Sequence, residues 1–174
     1  LKLALFPLHQ WLPNAYTYAP SAVSAFLAAT ATKVSVYVLL RFYYSVFGAS
    51  LVFDKLPLPQ IMLLLSLAAM FVASAVAIFQ RDLKRMFAYS SVAQIGYITL
   101  GMSFDTVTGL TASILHIFNH AVTKGGLFLL VGCAVAVAGG SSLNRLSGLA
   151  RIMPLTSFGI VLCGLSLIGV PGTA

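Results

Sequence analysis

The 174-residue chain is 60% hydrophobic and only 7% charged, with a mean hydropathy of +1.00. A soluble domain carries roughly a quarter charged residues, so a soluble fold is excluded. The formal net charge of +7 comes from cations spread singly through apolar stretches and short turns, without the basic run or aromatic-interleaved patch that binds nucleic acid, so no nucleic-acid partner is expected.

Lipid forces each spanning backbone to satisfy its own hydrogen bonds, so the long apolar stretches predict an all-α, polytopic transmembrane helix bundle in a lipid bilayer. Residues 1–19 open apolar, then carry Pro7, His9, Trp11, Pro13, Tyr16 and Tyr18. That mixture is expected where a transmembrane helix ends and the chain turns at the interface, with His9 as a surface or capping residue. Pro20 then breaks the helix and opens the first full crossing, 20–48, which is rich in Ala, Ser and Thr before Lys33. Small residues let helices approach closely, so this crossing belongs inside a bundle. Residues 49–57 read as a loop, and 58–79 as a plain crossing without an ionisable side chain. The charged turn 81–85 leads into a crossing at 86–104, whose Tyr89, Ser90, Ser91, Gln94 and Tyr97 form a polar stripe. That stripe suits either water or small-residue packing. The crossing at 107–139 is long enough to tilt and carries His116, Asn119, His120, Thr123 and Lys124. A Gly/Ser loop follows, then a crossing at 155–170. Residues 171–174, from Pro171-Gly172, read as the start of a further broken helix. A chain that opens at Leu1 and stops at Ala174 is expected to be an internal piece of a longer protein.

Arg81, Lys84, Arg85, Arg145 and Arg151 fall on one face of the membrane against Asp82, and Lys55 on the other against Asp54 and Asp105. The positive-inside rule would make the first face cytoplasmic.

Lys33 lies midway along its crossing, where an ammonium costs about 2.5–3.5 kcal/mol on insertion scales. A lysine stem is too short to escape comfortably from that depth, so the residue points to proton chemistry, its charge set by burial and by a neighbouring acid. The chain contains no Glu, and its three Asp residues all fall in loops. His116, His120 and Lys124 recur at i, i+4 and i+8, which lines them along one helix face, close enough for a water-bridged proton relay. The same two histidines suit a metal by spacing, but no third ligand lies near and a lysine follows one turn on, so no metal is expected. Cys133 and Cys163 lack paired spacing and read as small buried hydrophobes. Nothing resembles a haem, flavin, iron–sulfur or nucleotide motif, so no cofactor is expected.

In order, HQWLPNAYTYAPSAVSAFLAATATKVSVYVLLR, RDLKRMFAYSSVAQIGYI, LHIFNHAVTKGGLFLLVG, SGLARIMP and GVPGTA resemble the central part of the antiporter-like subunits. Respiratory complex I, membrane-bound hydrogenases and multisubunit Na+/H+ (Mrp) antiporters share these subunits. The resemblance covers essentially the whole chain, and the APSAVSA stretch followed by a lysine is most similar to the D subunit of the Mrp antiporters. It implies a fourteen-helix subunit of two inverted repeats, of which this chain would hold roughly the seventh to eleventh helices. It further implies that Lys33 is the lysine of a discontinuous helix, paired with a glutamate two helices earlier, and that Lys124 with His116 and His120 is the relay of the second repeat. The chain departs from the family in the 58–79 span, which lacks the Lys or His many members carry.

The resulting expectation is a multi-pass proton-translocating subunit in the plasma membrane of a prokaryote, partnered by other membrane subunits of an antiporter or respiratory complex. Protons, and Na+ or K+ if cations are exchanged, would be its substrates. A proton would enter beside Lys33, cross by water and polar side chains to Lys124 through His116 and His120, and leave beyond the break at Pro171. A proton-pumping subunit of an NADH-quinone oxidoreductase or hydrogenase, a non-transporting scaffold and a metal-ion carrier are the competing readings.

Overall fold

The computed structural model describes residues 2–173; Leu1 and Ala174, at the outer ends of the expected 1–19 and 171–174 segments, lie outside the described residues. The chain is helical throughout, and among the described residues the only strand-like pairing is an isolated bridge between Asp82 and Ser142. In chain order the helices are α1 (Trp11–Tyr18), α2 (Ser21–Arg41), α3 (Leu58–Ile78), α4 (Leu83–Ser103), α5 (Val107–Ala138), the single turn α6 (Leu149–Ile152) and α7 (Pro154–Ile168).

Among the described residues three stretches are long and apolar enough to cross a membrane, Ser21–Val46, Leu58–Ile78 and Val107–Ala138. Of the other two expected crossings, α4 matches α3 at 21 residues but carries Lys84, Arg85 and the polar stripe. The 15 residues of α7 reach only about 22 Å at 1.5 Å per residue, short of the roughly 30 Å hydrocarbon core.

Proline and glycine set the breaks. Pro20 stands extended between α1 and α2, its ring unable to continue the helix arriving from Tyr18. The discontinuity therefore falls at Ala19-Pro20, and α2 runs unbroken past Lys33. At the far end α7 stops at Gly169, a left-handed cap with φ of 83°, so Pro171 follows a helix already ended. The segment 49–57 is not a plain loop: Leu51–Lys55 forms a π-helical turn because Val52 is fully buried against Tyr43 and Met62.

The helices pack as an antiparallel series. Ser66 and Thr99 share a 2.6 Å hydroxyl bond between α3 and α4, and Ser113 Oγ donates to Ile98 O across the α4–α5 hairpin at 2.8 Å. Ser66→Ala should cost only about 0.6 kcal/mol in a thermal unfolding measurement, because Thr99 Oγ1 also bonds Ile95 O within its own helix. At one end of the bundle Leu83 N donates to Ser141 O at 2.8 Å and Leu143 N to Arg81 O at 3.0 Å. Asp82 caps α4 through Arg85 N and also accepts from the Ser141 hydroxyl. This clamp brings the 81–85 turn and the 140–148 loop to the same end, as the distribution of arginines anticipates.

Candidate functional site

The geometry begins with three lysines whose side chains are almost wholly enclosed: Lys33 is 6%, Lys84 5% and Lys124 0% exposed. Lys33 is at the midpoint of Ser21–Val46 and Lys124 near that of α5. Oxygen atoms hold each ammonium. Lys33 donates to Ala28 O, one turn back on its own helix. Lys124 reaches across to α4, donating to Phe87 O at 2.9 Å and to Ser90 Oγ. Lys84 donates to Ala19 O at 3.3 Å, the carbonyl at the α1–α2 break. Of the carboxylates, Asp54 lies in the π-helical turn and Asp105 beyond the end of α4, while Asp82, the α4 cap, stands two residues before Lys84.

On α5 the expected face is present. The imidazoles of His116 and His120 stack with centroids 6.0 Å apart and planes 6° from parallel, one turn from each other, and Lys124 lies one turn further. His116 Nε2 is 2.7 Å from Gln94 Oε1, and Gln94 Nε2 donates to Leu167 O of α7 at 3.0 Å. His120 is 1% exposed, and neither of its ring nitrogens has a hydrogen-bond partner in the protein.

A cavity of about 630 Å³ opens between α4, α5 and α7; its wall includes Ser90, Gln94, His116, Asn119, His120 and Ser166. The cavity brings the two histidines together but excludes both lysines of the expected path. Lys124 touches it only through Ser90. Lys33 comes close by register: a Cβ on Gly125 would stand 3.2 Å from Ala29 Cβ, and one on Gly132 2.8 Å from Ser21 Cβ. These contacts make α2 and α5 antiparallel, which sets Lys33 level with residues 120–121 of α5.

His9 is not a surface or capping residue. It is 8% exposed, stacked on Phe6 at 5.5 Å and edge-on to Tyr89 at 6.3 Å, because the turn before α1 folds back against α4. Burial lowers its proton affinity below the ordinary imidazole value. The cysteines are not buried either: Cys133 is exposed and Cys163 half-buried, its sulfur facing Gly126 of α5. Sequence reasoning missed Ser90 and Gln94 as partners of Lys124 and His116, although their spacing of four residues already places them on one face of α4. It also left Lys84 in a charged turn, whereas the residue lies in the first turn of α4.

The family model described as NADH:quinone oxidoreductase/Mrp antiporter, TM, matches residues 1–174. The chain belongs to that family. It is therefore an antiporter-like membrane protein, and its relatives carry names from both sides of the family. The N subunit of the NADH-quinone oxidoreductase of Desulforudis audaxviator is 46% identical over 99% of this chain and 34% of its own length. The D subunit of the Na(+)/H(+) antiporter of Alkalihalophilus pseudofirmus is 30% identical over 98% of this chain and 34% of its own length. Among solved structures, the Mrp complex from Dietzia sp. DQ12-45-1b contains a chain that superposes with a TM-score of 0.89 at 32% identity, over 98% of this chain and 31% of that one. The archaeal membrane-bound sulfane sulfur reductase contains another, with a TM-score of 0.87 at 32% identity, over 96% of this chain and 34% of that one. The chain thus spans about a third of the length of these antiporter-like relatives.

Proposed function

We propose that the protein is a proton-translocating subunit of a multisubunit complex in a prokaryotic plasma membrane, and that Lys33, His120, His116 and Lys124 carry the proton. The observation that supports this most is His120. A buried imidazole is normally hydrogen-bonded, yet this one faces a mostly apolar cavity that also presents Ser90, Gln94 and Asn119, with both nitrogens unpartnered by protein. At roughly 30 Å³ per water, that cavity has room for about twenty, enough to bridge His120 to His116 and, through Ser90, to Lys124. Lys33 delivers to His120 from the level of residues 120–121, and the outlet lies beyond the Gly169–Pro171 break.

His120→Phe in the full-length protein tests the reading. Phenylalanine keeps the stack on His116 and removes two buried polar atoms that no protein group partners, so thermal unfolding should be unchanged or shifted upward. Proton translocation in proteoliposomes should fall by about a hundredfold, the loss expected when a proton-transfer group is removed. A scaffold would show no such loss, so unaltered translocation refutes the proposal.

Two couplings divide this reading. Exchange against Na+ or K+ rests on the APSAVSA-lysine resemblance and on the relatives named as antiporter subunits. Redox coupling rests on the 46% identity to the N subunit of a quinone oxidoreductase, against 30% to the D subunit of an antiporter, and that difference favours it. Proton uptake driven by quinone reduction and indifferent to added Na+ or K+ would establish the redox form.

A further inference from the structure

We propose that Gln94 is a positioning residue that fixes the tautomer of His116 and ties it to the end of α7, so that His116 exchanges its proton only at Nδ1. This rests on the reading that His116 belongs to a proton path.

The chemistry of each atom dictates the orientation. Leu167 O is a backbone carbonyl and only accepts, so the group 3.0 Å from it must be the Gln94 amide nitrogen. The amide oxygen therefore faces His116 at 2.7 Å. An amide oxygen also only accepts, so His116 Nε2 must carry a hydrogen and donate it. With Nε2 committed, a neutral His116 has its one basic lone pair on Nδ1. Rotating the amide by 180° would oppose two acceptors at Leu167, so the Leu167 end fixes the orientation and the tautomer of His116 follows from it.

The surroundings agree with this assignment. His116 faces the edge of Tyr97 on α4 at 6.4 Å and the ring of His120 on its own helix at 6.0 Å, with Lys124 two turns along α5 and Lys33 across on α2. Gln94 has no proton to exchange at any physiological pH, so it orients the ring without offering the proton a way out toward α7. Thr123 and Ser166 add a direct α5–α7 tie at 3.2 Å. The last turn of α7, directly before the Gly169 cap, is thus held to α4 and α5 by side chains that do not ionise. A displacement of that turn would pull on Gln94 and release the imidazole.

The test uses the full-length protein in its assembled complex, labelled with 15N-histidine, with the His116 signals assigned by their loss in His116→Gln. Solid-state NMR should find neutral His116 protonated at Nε2. Gln94→Leu removes the acceptor, so the Nδ1–H tautomer should appear and proton translocation fall roughly tenfold, as for other residues that orient a functional imidazole. Gln94→Glu keeps the acceptor and loses the bond to Leu167, so Nε2–H should persist. Nδ1–H in the unaltered protein overturns the proposal without any variant, which covers a Gln94→Leu that fails to assemble. Nε2–H retained in an assembled Gln94→Leu also overturns it. A tautomer that shifts while translocation survives both Gln94→Leu and His116→Gln would uphold the positioning role and refute the proton path.

Discussion

Lys124→Met should abolish proton translocation, by about a hundredfold or more, in a protein that still assembles and unfolds at close to its normal temperature. Methionine matches the lysine stem in length and volume, so the fully buried site stays filled. Its loss leaves no orphan on α4: Ser90 Oγ already donates to Phe87 O at 3.0 Å, so the two groups that held the ammonium satisfy each other. Removing a buried charge together with its desolvation penalty is neutral or stabilising when nothing is left unpaired. Alanine is the poorer choice, because the cavity it opens would cost about 2–5 kcal/mol and confuse folding with transport. Passive-dilution assays of pH change in proteoliposomes separate the outcomes, and full activity in the methionine variant would remove Lys124 from the path.

Gly96→Leu should destabilise the bundle more than any of the other substitutions. A Cβ at Gly96 would stand 2.9 Å from both Ser66 O and Met70 Cγ and 3.1 Å from Ala69 Cβ. Met70 can swing aside, but Ser66 O is backbone, so α3 and α4 must separate along the seam that the Ser66–Thr99 bond closes. Gly96→Ala alone should cost about 1–3 kcal/mol, and leucine more, read as a lowered detergent-unfolding midpoint. Gly164→Ala is the control: a Cβ there meets nothing within 4 Å, so it should not lower the midpoint and should raise it slightly through helix propensity.

The parts of this molecule that one helix dictates were legible in its sequence. Hydropathy alone marks Leu58–Ile78 and Val107–Ala138, and a spacing of four residues puts His116, His120 and Lys124 on one face whatever surrounds them. What depends on how two helices slide past each other was not. Ser90 and Gln94 could be seen to share a face of α4, but which residues of α5 they meet is decided by contacts such as Ser113 with Ile98. His9 shows the same limit from the other side: prolines and aromatics around it are the composition of an interface, and only the fold-back onto Tyr89 buries it. Lys84 reads as part of a charged turn, and nothing local says that it opens α4 with its stem laid down toward Ala19. Val52 drew a helical turn from an expected loop because its burial, not its neighbours, settled the backbone.

The carbonyl of Phe87 receives Lys124 Nζ at 2.9 Å and the hydroxyls of Ser90 and Ser91 at 3.0 Å each. An oxygen has two lone pairs, so this one is oversubscribed, and the helical ladder of α4 competes for it as well. Side-chain hydroxyls that bond back into their own helix loosen and bend it. The rung of α4 that grips the lysine of α5 is therefore a contested one, so a change in that lysine's grip bears on the bend of α4.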